Sequence, residues 1–321
     1  MLVRAVPLGL LAGLVAVAFE LMLVAAERAR RLGFIYAEDL GQWGWLVAIG
    51  GCALSVGIGV WLVQALAPDA AGSGIPQIKA VLHHNRTMRA LRVLTVKFLG
   101  GVLAIGGGLT LGREGPTVQM GAALGQYLSD VTDTHAEDRR IITSAGAGAG
   151  LAAAFNAPLA GMLFVIEELH GFISPPLLFA VFIAAVAADV VTRTIFGQVS
   201  AFHVPMPVIP PLYELPWAAL LGILAGLSGV LFNRALLYTH RLMASMRRWP
   251  FGAGGFLVGA LVGVVGWFLP DVVGSGAALI EQVLGTDMGW RAALLFFGLR
   301  FALTMISYGS GAAGGIFAPL L

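Results

Sequence analysis

Three short segments place glycines just ahead of a proline. They are Gly72-Ser73-Gly74-Ile75-Pro76, Gly112-Arg113-Glu114-Gly115-Pro116 and Gly314-Gly315-Ile316-Phe317-Ala318-Pro319. Glycine allows unusual backbone dihedrals and a close approach to a ligand. Proline presets the first turn of a helix without wasting a donor. The pattern therefore predicts three helix starts. The first N–H groups of a helix lack intrahelical partners, and the positive end of the helix dipole lies behind them. Three such ends converging at membrane depth would bind an anion. Partial charges suit a conduction pathway, since a full Lys or Arg charge there could hold the anion too firmly to release it. Each segment alone also fits an ordinary loop or close helix packing through small residues. Close packing is the preferred reading of Ala145-Gly146-Ala147-Gly148-Ala149-Gly150 and of Gly222, Gly226 and Gly229.

Carboxylates come next. Glu114 lies inside the second segment, and a carboxylate deep in an apolar protein is costly enough to mark a functional candidate. As an anion it can occupy an anion site at a helix start; as a neutral acid it has no reason to stay. The competing reading is a carboxylate that merely stabilises its helix N-terminus. Glu167 and Glu168 close the apolar run from Leu159 to Ile166. Without other context the pair reads as a solvated helix end; adjacent helical residues point about 100° apart, so at most one of the two could face a pathway. Asp189 and Arg193 are spaced to pair on one helix face. Glu20 sits in an apolar run with no evident role. His83-His84 read as interfacial polar residues in preference to a metal site, and Cys52, the single cysteine, reads as a buried small hydrophobe.

The elements that must position these residues belong to a bilayer. Of 321 residues 58% are hydrophobic and 11% charged, against about 25% charged in soluble domains, and the mean hydropathy is +0.88. Apolar runs near 5–26, 43–67, 93–111, 139–166, 174–196, 214–238, 254–270 and 290–308 approach the ~20 residues of a spanning helix. Shorter glycine-rich stretches at 72–82, 114–129, 274–285 and 309–321 read as broken segments, tolerated at that depth only when buried in protein or lining a cavity. The first run reads as a span and not a signal peptide. Basic residues follow it (Arg28, Arg30, Arg31), and a larger group follows the second span (Lys79, Arg86, Arg89, Arg92); the larger group is read as cytoplasmic. Trp43, Trp45, Trp217, Trp249 and Trp290 fall near span ends as an interfacial belt. No concentrated basic face supports nucleic-acid binding. A Pro-rich loop with Pro205, Pro207, Pro210 and Pro211 divides the chain into 1–196, 197–213 and 214–321. The second part is shorter and stops as a helix opens, so it is expected to be an incomplete repeat, truncated at its C-terminus.

The three segments, in this order, resemble the anion-binding signatures of the CLC chloride channel family. The stretch Phe155-Asn156-Ala157-Pro158-Leu159-Ala160-Gly161 followed by Ile166-Glu167-Glu168 is similar too. The resemblance implies an all-α membrane fold of tilted and re-entrant helices in two inverted repeats. It implies an anion site of Ser73, Gly74, Ile75, Glu114, Gly115, Ile316 and Phe317, with the Ser73 hydroxyl and the amides of Ile316 and Phe317 toward the ion. Glu114 matches the family's gating glutamate and Glu168 its inner proton-transfer glutamate, with Glu167 structural. A serine in the first segment fits chloride preference. The fluoride-exporting branch departs from these motifs, and this chain does not. One departure is the stretch Gln77-Ile78-Lys79 after the first segment, where an acidic residue is common in bacterial exchangers. Another is that the family's late tyrosine has no match before residue 321, since Tyr308 precedes the third segment.

The expected activity is chloride/proton antiport, with a passive channel as the alternative; Glu168 favours antiport. It is not expected to be an enzyme. An intramembrane hydrolase would need a Ser–His dyad or a metal motif at membrane depth, and there is no His-Glu-x-x-His in the sequence. No metal or organic cofactor is implied, only transported chloride and protons. The expected setting is a bacterial inner membrane, and the expected assembly a homodimer when full length.

Overall fold

The computed structural model describes residues 2–83, 88–198, 211–285 and 289–320. Among these residues the regular elements are helices, with no strand. In chain order they are α1 (Leu2–Asp39), α2 (Gly44–Leu66), α3 (Ile75–Leu82), α4 (Ala90–Gly106), α5 (Glu114–Val131), α6 (Ala136–Phe155) and α7 (Pro158–Phe164). A π-helical turn, Val165–His170, follows, and then α8 (Pro175–Phe196), α9 (Leu215–Leu242), α10 (Ala253–Phe268), α11 (Ala277–Gly285), α12 (Trp290–Gly309) and α13 (Phe317–Leu320).

Five described helical segments are long and apolar enough to cross a membrane: Leu2–Asp39, Gly41–Leu66, Pro175–Phe196, Leu212–Leu242 and Trp290–Gly309. The remaining expected spans differ in instructive ways. The run 139–166 breaks where Asn156 turns left-handed (φ 56°) and Pro158 starts α7. Helices α4 and α10 have 17 and 16 residues, short of a full crossing. The first span is longer than its apolar run. Ala25, Ala26, Ala29 and the intervening Glu and Arg residues are strong helix formers, so α1 continues to Asp39. The basic residues expected to follow the first span therefore lie within α1. The Arg30 guanidinium donates to the Gly106 carbonyl at 3.3 Å. At about 1.5 Å per residue, 38 residues reach about 57 Å, nearly twice the ~30 Å hydrocarbon, so α1 must tilt or protrude.

Close helix packing follows the small residues in one place and not in another. A Cβ on Gly146 would strike the Gly121 carbonyl, and one on Gly150 the Thr117 carbonyl, so α5 and α6 meet backbone to backbone. Helices α1 and α8 do the same through Gly9 and Gly13 against the carbonyls of Ala184 and Ala188. The packing reading of Gly222, Gly226 and Gly229 is corrected: these glycines on α9 have no heavy atom within 4 Å of an added Cβ, and α9 buries little beyond Phe232. Two cores result. One joins α1, α3, α5, α6 and α8; the other joins α1, α2, α4, α10 and α12 across the expected division of the chain.

Cys52 is buried, and all five tryptophans of the expected belt are exposed. Asp189 and Arg193 pair at 2.6 Å. Residues 199–210 of the Pro-rich loop, His84 and Arg86, and Leu321 lie outside the described residues.

The packing yields a test. Gly150→Leu is expected to cost at least about 1–3 kcal/mol through overpacking against Thr117. Gly226→Leu, facing open space, is expected to leave thermal unfolding in detergent within about 0.5 kcal/mol of wild type.

Candidate functional site

The three glycine-proline segments meet. The Gly72 N–H donates to the Ala312 carbonyl at 2.9 Å, and the Gly314 N–H returns to the Gly72 carbonyl at 3.1 Å. The Gly112 N–H donates to the Gly315 carbonyl at 2.7 Å, and the Gly315 N–H to the Gly112 carbonyl at 2.8 Å. The third segment thus lies between the other two. The first and second also touch directly, since a Cβ on Gly115 would sit 2.8 Å from the Ser73 carbonyl oxygen. Backbones can approach this closely only without side chains, which is the physical reason for glycine here. Gly74 is held twice over. Its φ is +86°, and an added Cβ would lie 2.7 Å from the Cβ of Gln119, whose amide donates to the Asp69 carbonyl at 2.8 Å.

Each segment opens a helix as expected: Gly74 precedes α3, Glu114 begins α5 and Phe317 begins α13. Ser73 is buried, and its hydroxyl accepts a long hydrogen bond of 3.4 Å from the Ile75 N–H. Ile316 is partly buried. The Phe317 side chain is 51% exposed, and its ring meets Phe155 edge-on at 5.2 Å between centroids. Tyr308 lies over the first segment, its hydroxyl 3.0 Å from where a Gly72 Cβ would stand.

Glu114 is 6% exposed. Its carboxyl group folds back over Gly112, beside Ala318, and the backbone N–H groups of Glu114 and Ala318 act on it. One oxygen, Oε2, is buried with no hydrogen-bond partner. The neighbouring cation is spoken for: Arg113 forms an ion pair with Glu20 of α1 and donates to the Ala154 carbonyl at 3.3 Å. Glu20, which had no role in the sequence, thus balances the formal positive charge of the second segment.

The sequence reading missed Lys97. This α4 side chain is wholly buried, and its ammonium donates to the carbonyls of Ala70 at 2.9 Å and Gly72 at 2.6 Å. The expectation that partial charges alone surround the site needs this correction: a formal cation braces the first segment from behind through backbone carbonyls. The signal was present, since Lys97 is an ionisable residue inside the apolar run 93–111.

Glu168 lies in the π-helical turn, apart from the loop ladder, with its carboxylate 2.6 Å from the ammonium of Lys79 on α3. Glu167 is exposed. Ser73, Gly74, Ile75, Glu114, Gly115 and Ile316 are therefore brought together, Phe317 joins them through its backbone position, and Glu168 connects by way of α3.

Comparison with known proteins follows the same motifs. A family model described as voltage gated chloride channel matches residues 52–321. An H(+)/Cl(-) exchange transporter of Vibrio cholerae is 42% identical over 321 residues, covering 98% of this chain and 68% of that protein. The exchange transporter of Vibrio parahaemolyticus is 40% identical, covering 100% and 70%. Among solved structures, a slow cyanobacterial Cl-/H+ antiporter superimposes with a TM-score of 0.93 at 35% identity, over 99% of this chain and 75% of that one. A CLC-type fluoride/proton antiporter, at TM-score 0.82 and 22% identity over 99% and 77%, shares the fold.

Replacing Lys97 by Met would leave the Ala70 carbonyl oxygen without its ammonium donor and the Gly72 carbonyl with the Gly314 N–H alone. The expected cost is about 1–3 kcal/mol, read as a lowered unfolding temperature in detergent.

Proposed function

The chain belongs to the voltage gated chloride channel family, and on that footing we propose that it moves chloride across a membrane in exchange for protons. The observation that carries this reading is the position of Glu114. Its buried carboxyl group lies over Gly112 and beside Ala318, between the second and third segments, against backbone N–H groups and with one oxygen unpartnered. A carboxylate there takes the place an anion would take. Proton uptake removes the charge that holds it, and chloride then competes for the same dipoles. The ladder among Gly72, Gly112, Ala312, Gly314 and Gly315 is made by backbone groups and does not use the Glu114 side chain.

In this reading Ser73, Gly74, Ile75, Gly115 and the amides of Ile316 and Phe317 line the chloride site, Glu114 gates it, and Glu168 hands protons to or from the opposite side. Two features support the pairing of roles. The relatives near 40% identity are named as H(+)/Cl(-) exchange transporters, and Glu168 reaches the chloride site through the single short helix α3. A bacterial inner membrane as the setting and a homodimer as the assembly belong to the same proposal. The exposed apolar side chains along α9 support its being covered by lipid or by further protein.

The test is transport in vesicles. With a chloride gradient imposed, the wild-type chain is expected to drive protons against the chloride flow, read by a pH-sensitive dye. Glu168→Gln is expected to keep chloride movement and lower proton flux at least tenfold. Glu114→Gln is expected to abolish proton flux and make chloride flux insensitive to pH. Chloride movement with no proton flux in the wild type would instead establish a passive channel.

A further inference from the structure

The anion-binding end and the Glu168 end of the proposed pathway are the two ends of one helix. Helix α3 has eight residues, about 12 Å of rise. Ser73 and Gly74 stand at its start, and Lys79 lies in its last turn. A cation there is favoured by the negative end of the helix dipole. The Lys79 ammonium is 2.6 Å from Glu168 Oε1.

We infer that Lys79 is the counter-ion that cancels the charge of Glu168, and that this cancellation sets how strongly the Ser73 end of α3 holds chloride. The inference rests on the anion site proposed above. As a structural tie the pair would matter little: the two side chains are 40% and 51% exposed, and exposed ion pairs contribute little to stability. Its effect on a distant anion is another matter. Without Lys79, the Glu168 carboxylate would leave one uncompensated negative charge about 12 Å from the anion site. At that separation and an effective dielectric of about 20, a unit charge changes anion affinity roughly tenfold. Both side chains are part-exposed, so salt screens this field and the tenfold figure holds at low ionic strength.

Other ionisable groups at this end occupy different places. Glu167 adjoins Glu168 in the chain and, like it, is exposed. His83 caps the end of α3. The His170 ring nitrogen lies 2.8 Å from Ser144 Oγ, and His83 and Arg140 stand close enough to act on His170. The direct partner that the geometry gives Glu168 is Lys79.

Charge cancellation makes a prediction that a mechanical tether does not. Lys79→Met is expected to weaken chloride binding about tenfold, measured by titration calorimetry of the full chain in detergent at low ionic strength, with the unfolding temperature unchanged. Lys79→Arg keeps the charge and is expected to bind as wild type. The double variant Lys79→Met/Glu168→Gln removes both charges and is expected to return to within about threefold of wild type, although Glu168 is gone. A tether would leave the double variant as impaired as the single one. Unchanged chloride affinity in Lys79→Met, or no recovery in the double variant, would overturn the inference. Absent proton flux with chloride binding intact would remove the exchange reading and leave this inference standing. Absent chloride binding in the wild type would remove the anion site and the inference with it.

Discussion

Four backbone hydrogen bonds hold the site together. Those between Gly72 and the Ala312–Gly314 strand of chain, and between Gly112 and Gly315, join three loops that come from distant parts of the sequence. At membrane depth an unsatisfied N–H or carbonyl is costly, and short helices such as α3 and α13 cannot supply enough internal bonds to stand alone. Pairing the loops with one another satisfies their backbone groups while leaving the following helix starts free to face an anion. The glycines allow this pairing because a Cβ at Gly115 or Gly74 would collide with Ser73 or Gln119.

Three cations, two beside this ladder and one farther along α3, are individually bound. Glu20 holds Arg113, backbone carbonyls hold Lys97, and Glu168 holds Lys79. Glu114 stands apart, its carboxyl resting on backbone N–H groups with one oxygen unpartnered. A side chain held by partial charges can be displaced by an ion held the same way, whereas one locked to Arg113 could not. The pairing of Arg113 with a residue of α1 is therefore as much a part of the site as Glu114 itself.

The scaffold behind the ladder is built by small residues. Helices α5 and α6, and α1 and α8, meet at glycine-to-carbonyl contacts, where dispersion and close fit act without a difference in hydrophobicity between partners. Helix α5 begins with Glu114 and α6 ends beside Arg113, whose guanidinium reaches the Ala154 carbonyl. Tight packing of this pair thus bears on the direction in which the Glu114 carboxylate leaves its helix.

Much of this was legible from residue order. Glycine before proline announced three helix starts, because φ freedom and a missing N–H are local properties, and their sequence context matched a family. Low charge and long apolar runs announced a bilayer, because the cost of burying charge is independent of fold. What depended on tertiary structure were the partnerships. Glu20 and Arg113 are 93 positions apart in the chain and Lys79 and Glu168 are 89 apart, and no periodicity links them. The break at Asn156 inside an apolar run, and the bare glycines of α9 beside the packed glycines of α6, look alike in sequence to a span and to each other. Local chemistry decides what a segment can do, and only the arrival of distant backbone decides which carbonyl, charge or open space it meets.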